Sequence, residues 1–476
     1  MALDWSSSVD LHLDRLPPVR PGAGLADALR AAIRDGRLAA ESSLPSTRAL
    51  AADLGLARGT VTAAYGQLAA EGYLVVRQGA STRVAVITRT QLAAPGPVAR
   101  PAGPHPRWPV RWSLMPGQPD VSAFPRDVWL PAVRRVLARV PSADLGYPEP
   151  MGHPVLRRAL AGYLGRTRGV VTTPGQVVVG SGFTALLGLW CGALHDRGIT
   201  SVAFEDPSLP HLRSTAVSAG LAVVGVPVDD DGARVDLINA PAVVLTPAHQ
   251  YPLGVTLSPA RRAELSRQAV AGDVAVLEDD YDGEFRFDRA AVGAVQALAP
   301  GQVGYAGTAS KVLAPGLRLA WLALPERQVG PLRDRMLATG ASAPPVLDQL
   351  ALADLLESGA YDRQVRRARA RYRARRDAVL DAVAPYSDLV VPGGIAAGLH
   401  MHLRVVSSST EAAIAAAARR HGLGIDLLGR HRLLESDDPE TRPPGLLVGY
   451  AAPPDHAFAP ALAALIRVLN DLRCPR

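Results

Sequence analysis

GTASKVLAPGLRLAW, residues 307–321, holds the lone lysine of the chain, Lys311; every other one of its 51 Lys and Arg residues is arginine. Alanine, glycine, proline and valine are also abundant, which fits a coding background that drives surface cations toward arginine. Chance alone can spare one lysine under that drift. The chemical reading is that guanidinium stays protonated in proteins, whereas a desolvated amine can lose its proton and attack a carbonyl. VGYAGT (303–308) and LRLAWLAL (317–324) read as strands on either side, so Thr308, Lys311 and Arg318 share one loop at a strand end.

Further runs of the same kind lie N-terminal to it: VVVG (177–180), SVAFED (201–206), AVVLTP (242–247) and VAVLEDD (274–280). They alternate with helical patterns, which predicts an α/β domain around a mainly parallel sheet. From about residue 387, LVVPGG, LHMHLRV and LLVGYA interleave with two helices as a smaller α+β lobe. Residues 88–110 are rich in Pro, Ala and Gly, lack apolar periodicity and read as a linker. The expected division is therefore 1–87, linker 88–110, and 111–476. Within the last, the large part extends to about 386, and part of 111–150 joins the small lobe.

Polar residues gather where these strands end, as a ligand site at the carboxyl edge of a parallel sheet requires. Ser181 and Gly182 lead into an apolar helix, where the N–H groups of Gly182, Phe183 and Thr184 suit a phosphate. Asp279 and Tyr281 follow VAVL. A phosphate nest, a carboxylate, a phenol and an amine together suit pyridoxal 5′-phosphate. Its aldehyde takes a lysine, its ring nitrogen a carboxylate, its 3′ oxygen a phenol, and its phosphate N–H groups and an arginine fork.

LPSTRALAADLGLARGTVTAAYGQLAAEGYLVVRQGASTRVAV (44–86) predicts a helix over 47–54, a turn at Gly55, a second helix from 58 to 71 and a two-stranded ribbon over 73–77 and 82–86. With a supporting helix at 25–34 this is a winged helix-turn-helix. Arg58, Thr60 and Thr62 open the second helix, where base edges are met; Arg48 opens the helix before it; Gln78, Gly79 and Arg83 sit at or beside the wing tip. The net charge of +7 and pI of about 9.7 are compatible with binding double-stranded DNA without establishing it.

The N-terminal stretch resembles the GntR family of bacterial repressors through LPSxRxLAxxLGxxRxTVxxAYxxLxxEGxL, with Ala57 and Gly59 where hydroxyl residues are common. Residues 112–476 resemble the fold-type I aminotransferases in LGYPEPMGHPVLRRALAGYLGRTRGV, SGFTAL, EDPSLP, TPAHQYPLG, EDDYDGEF and SKxLxPGLRLxW. The fusion is the hallmark of the MocR/GabR subfamily of regulators. That resemblance implies a Schiff base at Lys311, Asp279 at the pyridine nitrogen and Tyr281 at the 3′ oxygen. It also implies phosphate contacts from Arg318, Thr308 and residues 181–184, and Tyr147 reaching the neighbouring subunit's phosphate in a head-to-tail homodimer. Three departures stand out. Leu209 replaces an aromatic that stacks on the ring. Leu447 falls where many aminotransferases carry a carboxylate-gripping arginine, a role left to Arg430 or Arg432. His249 and Gln250 replace an Asn-Pro pair near the ring.

The expected function is a cytoplasmic transcriptional regulator that senses pyridoxal phosphate or an amine or amino-acid effector through Lys311, with weak transaminase half-reactions at most. The alternatives are a working aminotransferase with an accessory winged helix and an inert dimerisation scaffold. Two cysteines, Cys191 and Cys474, leave no disulfide framework. The opening residues lack the apolar core of a signal peptide, and no apolar run is long enough to span a membrane. Arg363, Arg366, Arg367, Arg369, Arg371, Arg373, Arg375 and Arg376 wind around one helix and read mostly as its solvated surface. A second contact with DNA phosphate is the sharper reading.

Overall fold

The computed structural model describes residues 21–77, 80–86, 108–272, 274–287, 292–433 and 443–473, which fall into two compact units on either side of residue 103.

In the first unit, α1 (Pro21–Arg34), α2 (Thr47–Leu54) and α3 (Arg58–Ala70) precede a ribbon of β1 (Leu74–Val75) and β2 (Arg83–Val84). The Ser46 side chain accepts the Ala49 N–H at 3.1 Å and caps α2; Gly55, at φ 62°, ends it. Leu25, Leu29, Ile33, Leu50, Val61, Tyr65 and Leu68 are buried together with Leu74 and Val84. Each fully buried aliphatic side chain contributes about 1.5–3 kcal/mol. Arg30 grips Glu71 through two hydrogen bonds of 2.9 and 2.8 Å, tying α1 to the end of α3. The ribbon pairs Leu74 with Val84 and Val75 with Arg83, a shorter ladder than the alternation predicts.

The second unit opens with β3 (Trp112–Ser113), α4 (Arg126–Leu137) and α5 (Pro154–Arg168). Its main sheet is built from β4 (Val177–Ser181), β5 (Ser201–Asp206), β6 (Ala222–Asp229), β7 (Gly232–Ala233), β8 (Ala242–Leu245), β9 (Ala275–Asp279), β10 (Val303–Thr308) and β11 (Leu319–Ala323). Helices α6 (Phe183–His195), α7 (Pro210–Ser218) and α8 (Pro259–Gly272) connect strands within it. Helices α9 (Glu326–Thr339), α10 (Val346–Glu357) and α11 (Ala360–Val383) follow. The strand order is β4-β11-β10-β9-β8-β5-β6-β7. β11 runs antiparallel to both neighbours because the loop 309–318 returns directly, without the crossover helix that a parallel partner needs. β6, which the sequence reading passed over, pairs with β5 in parallel.

Residue parity sorts the sheet onto two apolar layers. Val177, Val179, Leu319 and Trp321 pack in one cluster, while Val178, Ala320 and Leu322 pack in another with Leu186 and Trp190 of α6. Burial on both faces explains why these strands read as continuous apolar runs.

The small lobe holds β12 (Val390–Gly393), β13 (Met401–Val405), α12 (Glu411–Arg420), β14 (Leu423–Gly424), β15 (Asp426–Leu427), β16 (Gly445–Val448) and α13 (Asp455–Arg473). Its antiparallel sheet has the order β12-β13-β16-β15. β3 pairs with β14 in parallel, so residues 112–113 do join this lobe. Trp108, inside the span read as linker, already donates its indole N–H to the Leu423 carbonyl at 3.1 Å.

Candidate functional site

The carboxyl ends of β4, β9 and β10 carry Ser181, Asp279 and Thr308. Three residues past β10, Lys311 donates its Nζ–H to the Gly117 carbonyl at 2.6 Å. Burial pulls this ammonium below its ordinary pKa, and the fields of Asp279 and Asp282 pull it partly back. Burial, reinforced by the neighbouring charge of Asp280, holds the Asp279 carboxyl well above its ordinary value, and Lys311 opposes that rise. Asp279 accepts no side-chain hydrogen bond from the described residues although it is 5% exposed. A protonated ring nitrogen would give this carboxylate a partner. Asp280, one residue on, instead bonds Arg168 Nε at 2.6 Å and the Tyr305 hydroxyl at 2.7 Å.

The phosphate end is equally specific. Gly182, at φ 95°, precedes α6 and gives it no side-chain cap. Its own N–H donates to the Gly180 carbonyl at 2.8 Å. The open donors at the start of α6 are therefore those of Phe183 and Thr184 rather than that of Gly182. Arg318 adopts φ 55°, a left-handed conformation that costs a non-glycine residue about 1–2 kcal/mol and often marks a ligand clamp. Its Nη2 donates to the Ser181 carbonyl at 2.8 Å. A Cβ on residue 182 would lie 2.5 Å from that nitrogen, so glycine serves both the turn and the arginine's approach. Thr308 is committed locally: its hydroxyl lies 3.1 Å from the Leu319 carbonyl and 2.9 Å from Ser310 Oγ, and takes the Ser310 N–H at 3.1 Å. Thr308 shapes the loop, and Ser310, which the sequence reading missed, presents the adjacent hydroxyl.

Beside these groups, His249 Nδ1 lies 2.8 Å from Asp282 Oδ2 and 3.2 Å from the Tyr281 hydroxyl. Carboxylates accept only, so Nδ1 carries a proton shared between Asp282 and the phenol oxygen. The phenol's own proton is then free to point elsewhere. The His400 ring packs at a tilt, its centroid 5.2 Å from that of His249 and 4.9 Å from that of Tyr251, with its Nδ1 buried and unbonded. Asp282 lay within the quoted EDDYDGEF run. His400 and Gly117 arrive from distant segments and left no local signal.

The departures find distinct places. Gln250 donates to the Pro207 and Tyr251 carbonyls at 2.8 and 2.7 Å and accepts the Leu253 N–H, so it fastens loops. Leu209 immediately precedes α7 and packs on the Leu186–Trp190 cluster. Leu447 is fully buried in β16, opposite His402 and Asp426. Arg430 lies 3.4 Å from Asp426, and Arg432 donates to the Pro443 carbonyl at 2.6 Å. Tyr147 projects fully into solvent; within this chain it does not join the Lys311 group.

In the first unit, Arg48, Arg58 and Thr62 are exposed and Thr60 is half-buried. Ala57 provides no side-chain cap to α3, which leaves the first N–H groups of that helix open. Thr62 donates its hydroxyl to the Arg58 carbonyl at 2.9 Å, and Arg83 reaches the Glu41 carbonyl at 3.1 Å. Gln78 and Gly79 lie outside the described residues.

Residues 21–84 match the bacterial regulatory proteins of the gntR family, and residues 117–417 match aminotransferase class I and II. Among curated proteins, the probable rhizopine catabolism regulatory protein MocR of Rhizobium meliloti is 33% identical over 93% of this chain and 92% of its own. The HTH-type pyridoxine biosynthesis transcriptional regulator PdxR of Corynebacterium glutamicum is 33% identical over 75% of this chain and 78% of its own. Among solved structures, an archaeal alanine:glyoxylate aminotransferase shares the fold with a TM-score of 0.68 at 24% identity, over 76% of this chain and 91% of that one. The chain belongs to the MocR-type transcriptional regulators, in which a gntR-family helix-turn-helix is fused to an aminotransferase class I and II domain.

Proposed function

We propose that the protein is a cytoplasmic homodimeric regulator that binds its operator through Arg48, Arg58, Thr60, Thr62 and Arg83. Its second unit senses pyridoxal phosphate, or an amine or amino acid that meets it there. The observation that carries this reading is the pairing of a half-buried lysine that forms no ion pair among the described residues with a buried carboxylate at neighbouring strand ends. When bound, the cofactor supplies an electrophilic carbonyl for Lys311 or for an incoming amine.

The chain's own residues do the rest. Asp279 would hold the proton on the ring nitrogen. Tyr281, its oxygen already fixed by His249, would donate to the 3′ oxygen. Arg318, Ser181, Ser310 and the first N–H groups of α6 would hold the phosphate. Tyr147, fully exposed, suits a phosphate contact in a second subunit. An effector shifts operator affinity only as far as it binds one arrangement of the dimer better than another.

A turning-over aminotransferase is the second reading, favoured by the complete set Lys311, Asp279 and Tyr281 and disfavoured by Leu447 in place of an arginine. The deciding experiment is anisotropy titration of the protein's upstream DNA, with and without pyridoxal phosphate and candidate amines, alongside keto-acid production. Ligand-dependent affinity without steady turnover is expected. Steady turnover with ligand-independent DNA binding would favour the enzyme.

A further inference from the structure

The arginines of α11 are sorted by their neighbours rather than spread evenly through solvent. Arg375 is buried, with Nη2 2.6 Å from Asp455 and 3.6 Å from Asp120, which corrects its reading as surface. Arg371 lies 3.9 and 3.8 Å from the same two carboxylates, and Arg376 lies 3.6 Å from Asp377. The opposite side is unbalanced. Arg366, Arg369 and Arg373 recur at helical spacing and, with Arg286, line an open trough of about 480 Å³. Asp377 is the one carboxylate among its described lining residues, and it already has Arg376. Arg369 donates to the Glu284 carbonyl at 2.8 and 2.6 Å, which fixes its guanidinium without neutralising it. Arg366 and Arg373 have no ion-pair or hydrogen-bond partner among the described residues.

Three guanidiniums on one side of a helix, spanning about 10 Å from residue 366 to residue 373, differ from a pocket for one small anion. A pocket of that kind uses converging donors and free backbone N–H groups, and the amides here lie mid-helix, already hydrogen-bonded. A row of guanidiniums in which Arg366 and Arg373 meet no carboxylate among the described residues suits an anion whose charges repeat along a line. An acidic protein surface would need apolar anchors as well, and the trough offers only Phe287, Ala370 and Ala374.

We propose that this trough contacts the phosphodiester backbone of duplex DNA, in addition to the winged helix. The proposal rests on the regulator reading above. The contact carries no sequence information, so it adds affinity and salt dependence to operator binding.

The test compares wild type with the Arg366→Gln/Arg373→Gln double variant on a long duplex carrying the protein's own operator. Dissociation constants are measured between about 50 and 200 mM salt, where each phosphate contact adds about 0.9 to the slope. The double variant is expected to lose about two units of slope, with unchanged cofactor absorbance and melting temperature. Equal slopes and affinities on DNA that the wild type binds specifically would overturn the trough and leave the regulator reading standing. Absence of specific binding by the wild type would remove both. Unchanged slopes with a lost transcriptional response would give the trough to an acidic protein and overturn the DNA contact.

Discussion

The winged helix and the Lys311 loop show two ways in which sequence can specify a site. In the first unit the chain writes its structure locally. Ser46 caps α2, Gly55 ends it, and the exposed face of α3 is what the apolar face leaves over. In the second unit no group near Lys311 owes its position to a neighbour in sequence alone. Gly117, Ser181 and the run carrying Asp279 and Asp282 arrive from separate segments, which the fold brings to one edge of the sheet. One site should therefore fail by losing a single contact, and the other by losing a convergence.

The sharpest challenge to this contrast is an exchange of lesions. Lys311→Ala should remove the visible absorbance of bound cofactor and all effector response while leaving basal operator affinity intact. Arg58→Ala should weaken operator binding by about 1–3 kcal/mol and leave the absorbance unchanged. Loss of both properties in either variant would show that the two sites are not separable.

A step smaller, Asp279→Asn tests the convergence at its second member. A charge-assisted hydrogen bond of about 1.5–3 kcal/mol would be forfeited, so cofactor affinity measured by equilibrium dialysis should fall roughly tenfold or more. Near-native affinity would mean that this carboxylate faces something other than the ring nitrogen.

Smaller again is His249→Gln. His249 holds the phenol oxygen of Tyr281 so that the phenol's proton can serve the 3′ oxygen. Loosening that hold should raise the pH midpoint of the bound cofactor's spectral transition by roughly one unit, about 1.4 kcal/mol. An unmoved midpoint would reduce the His249–Asp282 pair to a packing role.

The smallest effect concerns Glu205, which is buried and accepts hydrogen bonds from Thr246. Burial lifts its carboxyl from 4.5 to about 7. The folded chain therefore holds this proton more tightly than the unfolded one. Its stabilising effect is complete below the unfolded value and is lost as pH rises through the folded one. Glu205→Gln should flatten the fall in apoprotein melting temperature between about pH 4.5 and 7; an unaltered slope would contradict the burial argument.

The same contrast explains what could be read in advance. Helix ends of the winged helix were legible because capping and periodicity act within a few residues. Lys311, Asp279, Tyr281 and Arg318 stand out in the sequence because they lie at the ends of strands whose apolar runs are continuous. The hydroxyl of Thr308 also serves the turn it sits in, a local commitment that the residue pattern does not reveal. β6 is hard to read because Gly225 and Pro227 interrupt its apolar run. Gly117 and His400 could not be found, since their roles exist only once distant chain segments meet. Arg375 looks like its exposed neighbours in the sequence, and only the packing of the buried Asp120 and of Asp455 beside it reveals a buried guanidinium.

The central claim is most directly tested by borohydride reduction of the cofactor-loaded protein, followed by peptide mass mapping. The account predicts a stable pyridoxyl adduct on the peptide containing Lys311 and on no other. Loaded protein that yields no adduct there would contradict it.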